Sequence, residues 1–117
     1  MFKRSEHAVV HRFATACRAG SAGAVRSLLT QNVVAVSDGG GRVITAGRIH
    51  GPGDVARCVT ELVGPGADLA VEAVNGQPGV VLRDAGRVVA VVSLQVAGAK
   101  VAAVWIVLNP DKLRHWE

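Results

Sequence analysis

Arg87-Val88-Val89-Ala90-Val91-Val92-Ser93-Leu94-Gln95-Val96-Ala97 and, after the turn Gly98-Ala99, Lys100-Val101-Ala102-Ala103-Val104-Trp105-Ile106-Val107-Leu108 decide how this chain folds. Valine-rich runs bounded by glycine turns read as strands. Strict alternation puts Val88, Ala90, Val92, Leu94 and Val96 on one face, with Val89, Val91, Ser93 and Gln95 on the other. In the final run Ala102, Val104, Ile106 and Leu108 oppose Val101, Ala103, Trp105 and Val107. A sheet with one wet face would carry a polar residue at every second position, and these runs scarcely do. One face is therefore expected to pack on helices. The other needs a second cover, most economically another copy of the chain, which makes a homodimer through the sheet the structural expectation.

Upstream, Asp84-Ala85-Gly86 turns back to a strand over Val80–Arg83, and Asn75-Gly76 joins that to a strand over Leu69–Val74. Asn-Gly between apolar runs is a strong hairpin signal. The first half reads as helix. Val10, Phe13, Ala14 and Cys17 recur at helical spacing over Glu6–Arg18, with Ser5 as N-cap and Gly20 as the stop. Ser21 caps a second helix that buries Ala22, Val25, Leu28 and Leu29, the two forming an αα-hairpin. Val33–Ser37 and Arg42–Ile49 read as strands joined by Asp38-Gly39-Gly40-Gly41. A third helix lies between Gly51-Pro52-Gly53 and Gly64-Pro65-Gly66, with Val55, Val59, Leu62 and Val63 along one face. The expected order is α-α-β-β-α-β-β-β-β: an α+β fold, antiparallel, with its helices gathered on one face.

At 117 residues, half of them hydrophobic, residues 1–117 are expected to form a single domain with a real core. No run approaches the roughly 18 apolar residues of a membrane span, and the start lacks a signal peptide's apolar segment, so no membrane association and a cytoplasmic location are expected. Cys17 and Cys58 read as reduced core residues. The net charge is +4, but the basic residues are scattered singly without aromatic interleaving, which argues against direct nucleic-acid binding.

Acid–base chemistry needs ionisable groups projecting into a pocket, and the strand interiors offer little. Glu72 is the one carboxylate within a strand and is expected to face water. Asp68 and Asp84 sit at strand ends, where Asp serves turn geometry. His7 and His11 lie four apart on the first helix, but with no third ligand nearby they read as solvated edge residues; neither a metal site nor a cofactor is expected. His50, beside Gly51-Pro52, could face a ligand but has no visible partner. Two stretches are richer than their local roles require. Asp38-Gly39-Gly40-Gly41-Arg42 carries more glycine than a hairpin needs, and Asn109-Pro110-Asp111-Lys112-Leu113 ends the last strand at a proline, with Leu113 and Trp116 stranded in a polar tail.

The helix pair, the strand order and these stretches resemble the SnoaL-like family, within the cone-shaped superfamily of nuclear transport factor two. More narrowly the chain is similar to the C-terminal SnoaL-like extension of extracytoplasmic-function sigma factors. Asp38-Gly39-Gly40-Gly41, Asn75-Gly76-Gln77-Pro78-Gly79 and Asn109-Pro110-Asp111-Lys112-Leu113 carry that likeness. The resemblance implies a curved antiparallel sheet forming a cone with three helices packed on it. It also implies a non-catalytic regulatory domain that modulates transcription initiation through contacts with sigma core regions or RNA polymerase. Asp38, Gly39, Gly40, Gly41 and Arg42 would be the contact loop, and Asn109, Pro110, Asp111, Lys112 and Leu113 the regulatory tail. Sigma regions two and four are not among these 117 residues. The alternative is a small-molecule binder or enzyme of polyketide cyclase or ketosteroid isomerase type, with an apolar ligand in a pocket of Ile49, His50, Glu72, Trp105 and Val107. The shortage of charged groups in the strands weighs against an enzyme.

Overall fold

The structure is a computed structural model and describes residues 4–38, 48–64, 67–74 and 76–108. Its elements run α1 (Arg4–Arg18), α2 (Ala22–Ser27), β1 (Leu29–Asp38), β2 (Arg48–His50), α3 (Pro52–Val63), β3 (Asp68–Val74), β4 (Gln77–Asp84), β5 (Arg87–Ala97) and β6 (Lys100–Val107). This is the expected order of elements. The six strands form one curved sheet in the order β2-β1-β6-β5-β4-β3. Four of its five pairings are antiparallel, as expected; β1 and β6 run parallel, which hairpin reasoning does not reach because the two strands lie far apart in the chain.

Local chemistry accounts for the ends of the elements. Pro52 occupies the first turn of α3, where its missing N–H costs nothing, and Asp54 complements the helix dipole there. The Ser21 hydroxyl accepts from the Ala24 amide at 3.2 Å and caps α2. α1 starts at Arg4, so Ser5 lies inside its first turn instead of capping it. α2 is shorter than expected. It stops at Ser27, the Leu28 carbonyl accepts from the Val101 amide at 2.7 Å, and Leu29 already pairs with Val101 as the first residue of β1. Capture by β6 thus converts Leu29 from a helical to a strand position.

The core lies between the helices and one face of the sheet. Phe13, Val10 and Cys17 of α1, Val25 of α2, and Val55 and Val59 of α3 close over Val80, Val92, Leu94, Val104 and Ile106. In α3, Ala56 is buried while Leu62 stands half-buried at the rim. Arg18 ties the end of α1 to the sheet by donating from Nη2 to the Leu69 carbonyl at 3.0 Å.

Two irregularities correct the strict alternation expected for the long strands. The register slips between the pairs Leu82–Ala90 and Arg83–Val88, leaving Val89 as the extra residue. Val88 thereby leaves the face of Ala90 and joins Val91 on the opposite one. A second slip, between Gln95–Ala103 and Val96–Val101, makes Ala102 the extra residue and turns Val101 into the core beside Val104. β-Bulges of this kind sharpen the twist of a strand, and here they bend the two longest strands around the helices.

Candidate interaction surface

The face of the sheet turned away from the helices holds a second apolar cluster. Val74 on β3, Val81 on β4, and Val88 and Val91 on β5 are buried against one another, with Val107 packed at their edge. Beside it the strands present a shallow hollow of about 570 Å³ lined by Val74, Gln77, Ser93, Gln95, Ala103, Trp105 and Val107. Register explains the grouping. Ser93 lies opposite both Gly79 and Trp105, Gln95 opposite Ala103, and Val91 opposite Val107. On its other side Trp105 neighbours Val36 of β1. Trp105 is 54% exposed and Val89 39%, and these are the large apolar side chains left open to solvent among the described residues.

Gly79 lets this face close up. A Cβ built there would meet the Val92 carbonyl oxygen at less than contact distance and the Val74 Cγ2 at 2.7 Å. The glycine of the Asn75–Gly79 stretch is therefore a packing requirement, with Val74 lying over its bare backbone. Farther along the same face Arg83 donates from Nη1 to Glu72 Oε2 at 3.1 Å, both side chains being about one-third exposed. An ion pair so exposed is worth at most about 1 kcal/mol.

The five candidate pocket residues fall into separate places. Trp105 and Val107 share the hollow just described. Glu72 is held by Arg83 on that face, outside the hollow. Ile49 borders a different surface depression beside Asp54, Arg57, Cys58, Glu61 and Leu62. His50 is exposed on β2, opposite Val34. Between helices and sheet the space is filled by aliphatic side chains and Phe13, and no polar or charged side chain is buried among the described residues. Gly39–Arg42 and Asn109–Leu113 lie outside the described residues, and of the proposed contact loop only Asp38 is placed, at the end of β1. The signal for the hollow was present in the sequence as the two polar interruptions, Ser93 and Gln95, in an otherwise apolar strand.

Burial also governs the thiols. Cys17 is enclosed in the core, and desolvation pushes its pKa up to about 12, the nearby Arg18 opposing the shift. Cys58, half-buried, is raised by burial and then by the charge of Glu61. Neither is activated as a nucleophile.

The curved sheet with three helices on one face matches an NTF2-like protein of Burkholderia xenovorans with a TM-score of 0.64 at 15% identity, covering 97% of this chain and 93% of that one. The chain has the NTF2-like fold. Its structural neighbours are NTF2-like and SnoaL-like proteins. One of them, the extracytoplasmic function sigma factor SigJ of Mycobacterium tuberculosis, is 30% identical with a TM-score of 0.74 over 96% of this chain. The match spans 45% of the sigma factor, so this NTF2-like chain corresponds to less than half of that protein's length. Another, an epoxide hydrolase of the same organism, is 14% identical with a TM-score of 0.56, covering 95% of this chain and 87% of that one. The sequence itself matches no protein-family model and no curated protein. No described helix is long and apolar enough to cross a membrane.

Proposed function

We propose that this chain is a non-catalytic control domain of the kind carried by extracytoplasmic-function sigma factors, tuning transcription initiation in the cytoplasm through protein contacts. The observation that carries this reading is the 30% identity to SigJ sustained over 96% of the chain, about twice that shared with the B. xenovorans protein and the epoxide hydrolase. The arrangement of apolar surface favours it as well. Trp105 stands half out of a sheet face that already holds a valine cluster, and tryptophan is enriched among the residues that dominate protein interfaces. In this reading a second copy covers that face, while Asp38–Arg42 and Asn109–Leu113 engage the sigma core regions.

The enzyme alternative draws less support. An isomerase or cyclase needs a general acid or base inside the cone. The described interior is packed with valine, leucine, isoleucine and phenylalanine.

Titration of the purified chain against purified sigma regions two and four, taken from the same or the neighbouring reading frame, tests the proposal. Saturable binding is expected, weakened when Gly39–Gly41 are replaced by alanines. Absence of binding with that loop intact would remove the regulatory reading.

A further inference from the structure

Where α3 ends, Leu62 and Val63 enclose a hollow of about 460 Å³ together with Leu82 of β4 and Val89 of β5. Val89 is the exposed bulge residue, and it belongs to neither apolar cluster of the sheet. Asp68 and Asp84 line the same hollow, and both are exposed. Arg83 is the basic residue in its wall, and Glu72 already meets that charge. Neither aspartate takes part in an ion pair among the described residues. The C-terminal end of α3 adds partial negative charge. The hollow is thus apolar within and acidic at its edge.

β6 delivers the chain beside it. Val107 pairs with Val91, and in an antiparallel ladder each further residue moves one step back along β5, towards Val89. Val91 to Val89 is about 7 Å of strand. Leu108 still packs on the core, and residues 109–117 lie outside the described residues. Leu113 and Trp116 come five and eight residues after Leu108, within about 17 and about 27 Å of extended chain. Lys112-Leu113-Arg114-His115-Trp116 holds two cations, two large apolar residues and no acid. Val107 also borders the hollow on the outer face, but no charged side chain lines that one among the described residues.

We propose that Lys112–Trp116 docks into the acidic-edged hollow of its own chain. Leu113 and Trp116 cover Leu62, Leu82 and Val89, while Lys112 and Arg114 face Asp68 and Asp84. In the control-domain reading the sigma regions then compete with the hollow for the tail. That consequence rests on the reading above; the docking is a property of the chain alone.

Trp105→Phe leaves Trp116 as the sole tryptophan, so its fluorescence reports the tail. Emission and acrylamide quenching are measured on this full-length chain over a wide range of protein concentration. A blue-shifted, shielded Trp116 is expected at every concentration, with shielding that falls as salt is raised. Adding Val89→Arg should favour the released tail about tenfold, the order of one lost valine contact. Asp68→Asn/Asp84→Asn should release it in part and reduce the salt dependence. Ala103→Arg, in the outer hollow, should leave it docked. Trp116 emission like that of the urea-unfolded chain would overturn the docking. So would shielding that survives Val89→Arg, that is lost in Ala103→Arg, or that appears only at high concentration, the last placing the tail on a second copy. Sigma regions take no part in this measurement, so its failure is distinct from failure of the binding titration.

Discussion

The two faces of the sheet are built from nearly the same residues and end in different states. On the inner face Val80, Val92, Leu94, Val104 and Ile106 are each 1% exposed or less, sealed by α1, α2 and α3. On the outer face Val74, Val81, Val88 and Val91 are buried only by packing side by side, and Trp105 remains open. Valine content does not separate the faces. The helices do: their apolar stripes suffice to cover one face, and the other keeps surplus apolar surface that only association can remove from water.

Phe13→Ala should cost about 3 to 5 kcal/mol of folding stability, the penalty of emptying a fully enclosed aromatic site. A urea midpoint unchanged by this substitution would show that the inner face is not the core. Gly79→Ala, on the outer face, should cost roughly 1 to 3 kcal/mol, because the added methyl collides with the backbone at Val92 and with Val74. A smaller loss would mean that the outer valine cluster is loosely held.

In the β4–β5 turn, Ala85 has φ 52° beside Gly86 at 83°. A left-handed alanine is strained, so Ala85→Asn should raise stability by about 1 kcal/mol, measurable by thermal melting. The cysteines sharpen the contrast between enclosed and half-open sites. At pH 8 a thiol reagent should modify Cys58 slowly and Cys17 only on unfolding. Because the folded pKa of Cys17 lies above its ordinary value of 9.0, its contribution to stability is intact below pH 9 and is lost as pH rises from there towards 12. Alkaline denaturation should therefore be delayed in Cys17→Ser relative to its own stability at pH 7. The smallest folding effect belongs to Trp105→Glu, within about 0.5 kcal/mol for the isolated chain, since the ring is already half in water.

Much of this architecture was legible in the sequence. Glycine-bounded valine runs and helical spacing give the order of the elements, and β5 falls on the expected Arg87–Ala97. Of the expected strand Arg42–Ile49, residues 42–47 lie outside the described residues and β2 is Arg48–His50. What was not legible depends on contacts between distant segments. Leu29 has helical spacing but is taken into β1 by Val101, and the parallel β1–β6 pairing joins strands separated by most of the chain. The bulges at Val89 and Ala102 move Val88 and Val101 to faces that period-two alternation denies them. For the candidate site, the apolar surplus of the second face was readable. The partnership of Glu72 with Arg83 was not, because it arises from the pairing of β3 with β4.

The outer face is proposed to be a contact surface centred on Trp105. Sedimentation equilibrium of the native chain and of Trp105→Glu, side by side at equal concentration, tests this most directly. A dimer for the native chain and a folded monomer for the variant are the predicted results. A native chain that remains monomeric, or a variant that dimerises equally well, would contradict the account.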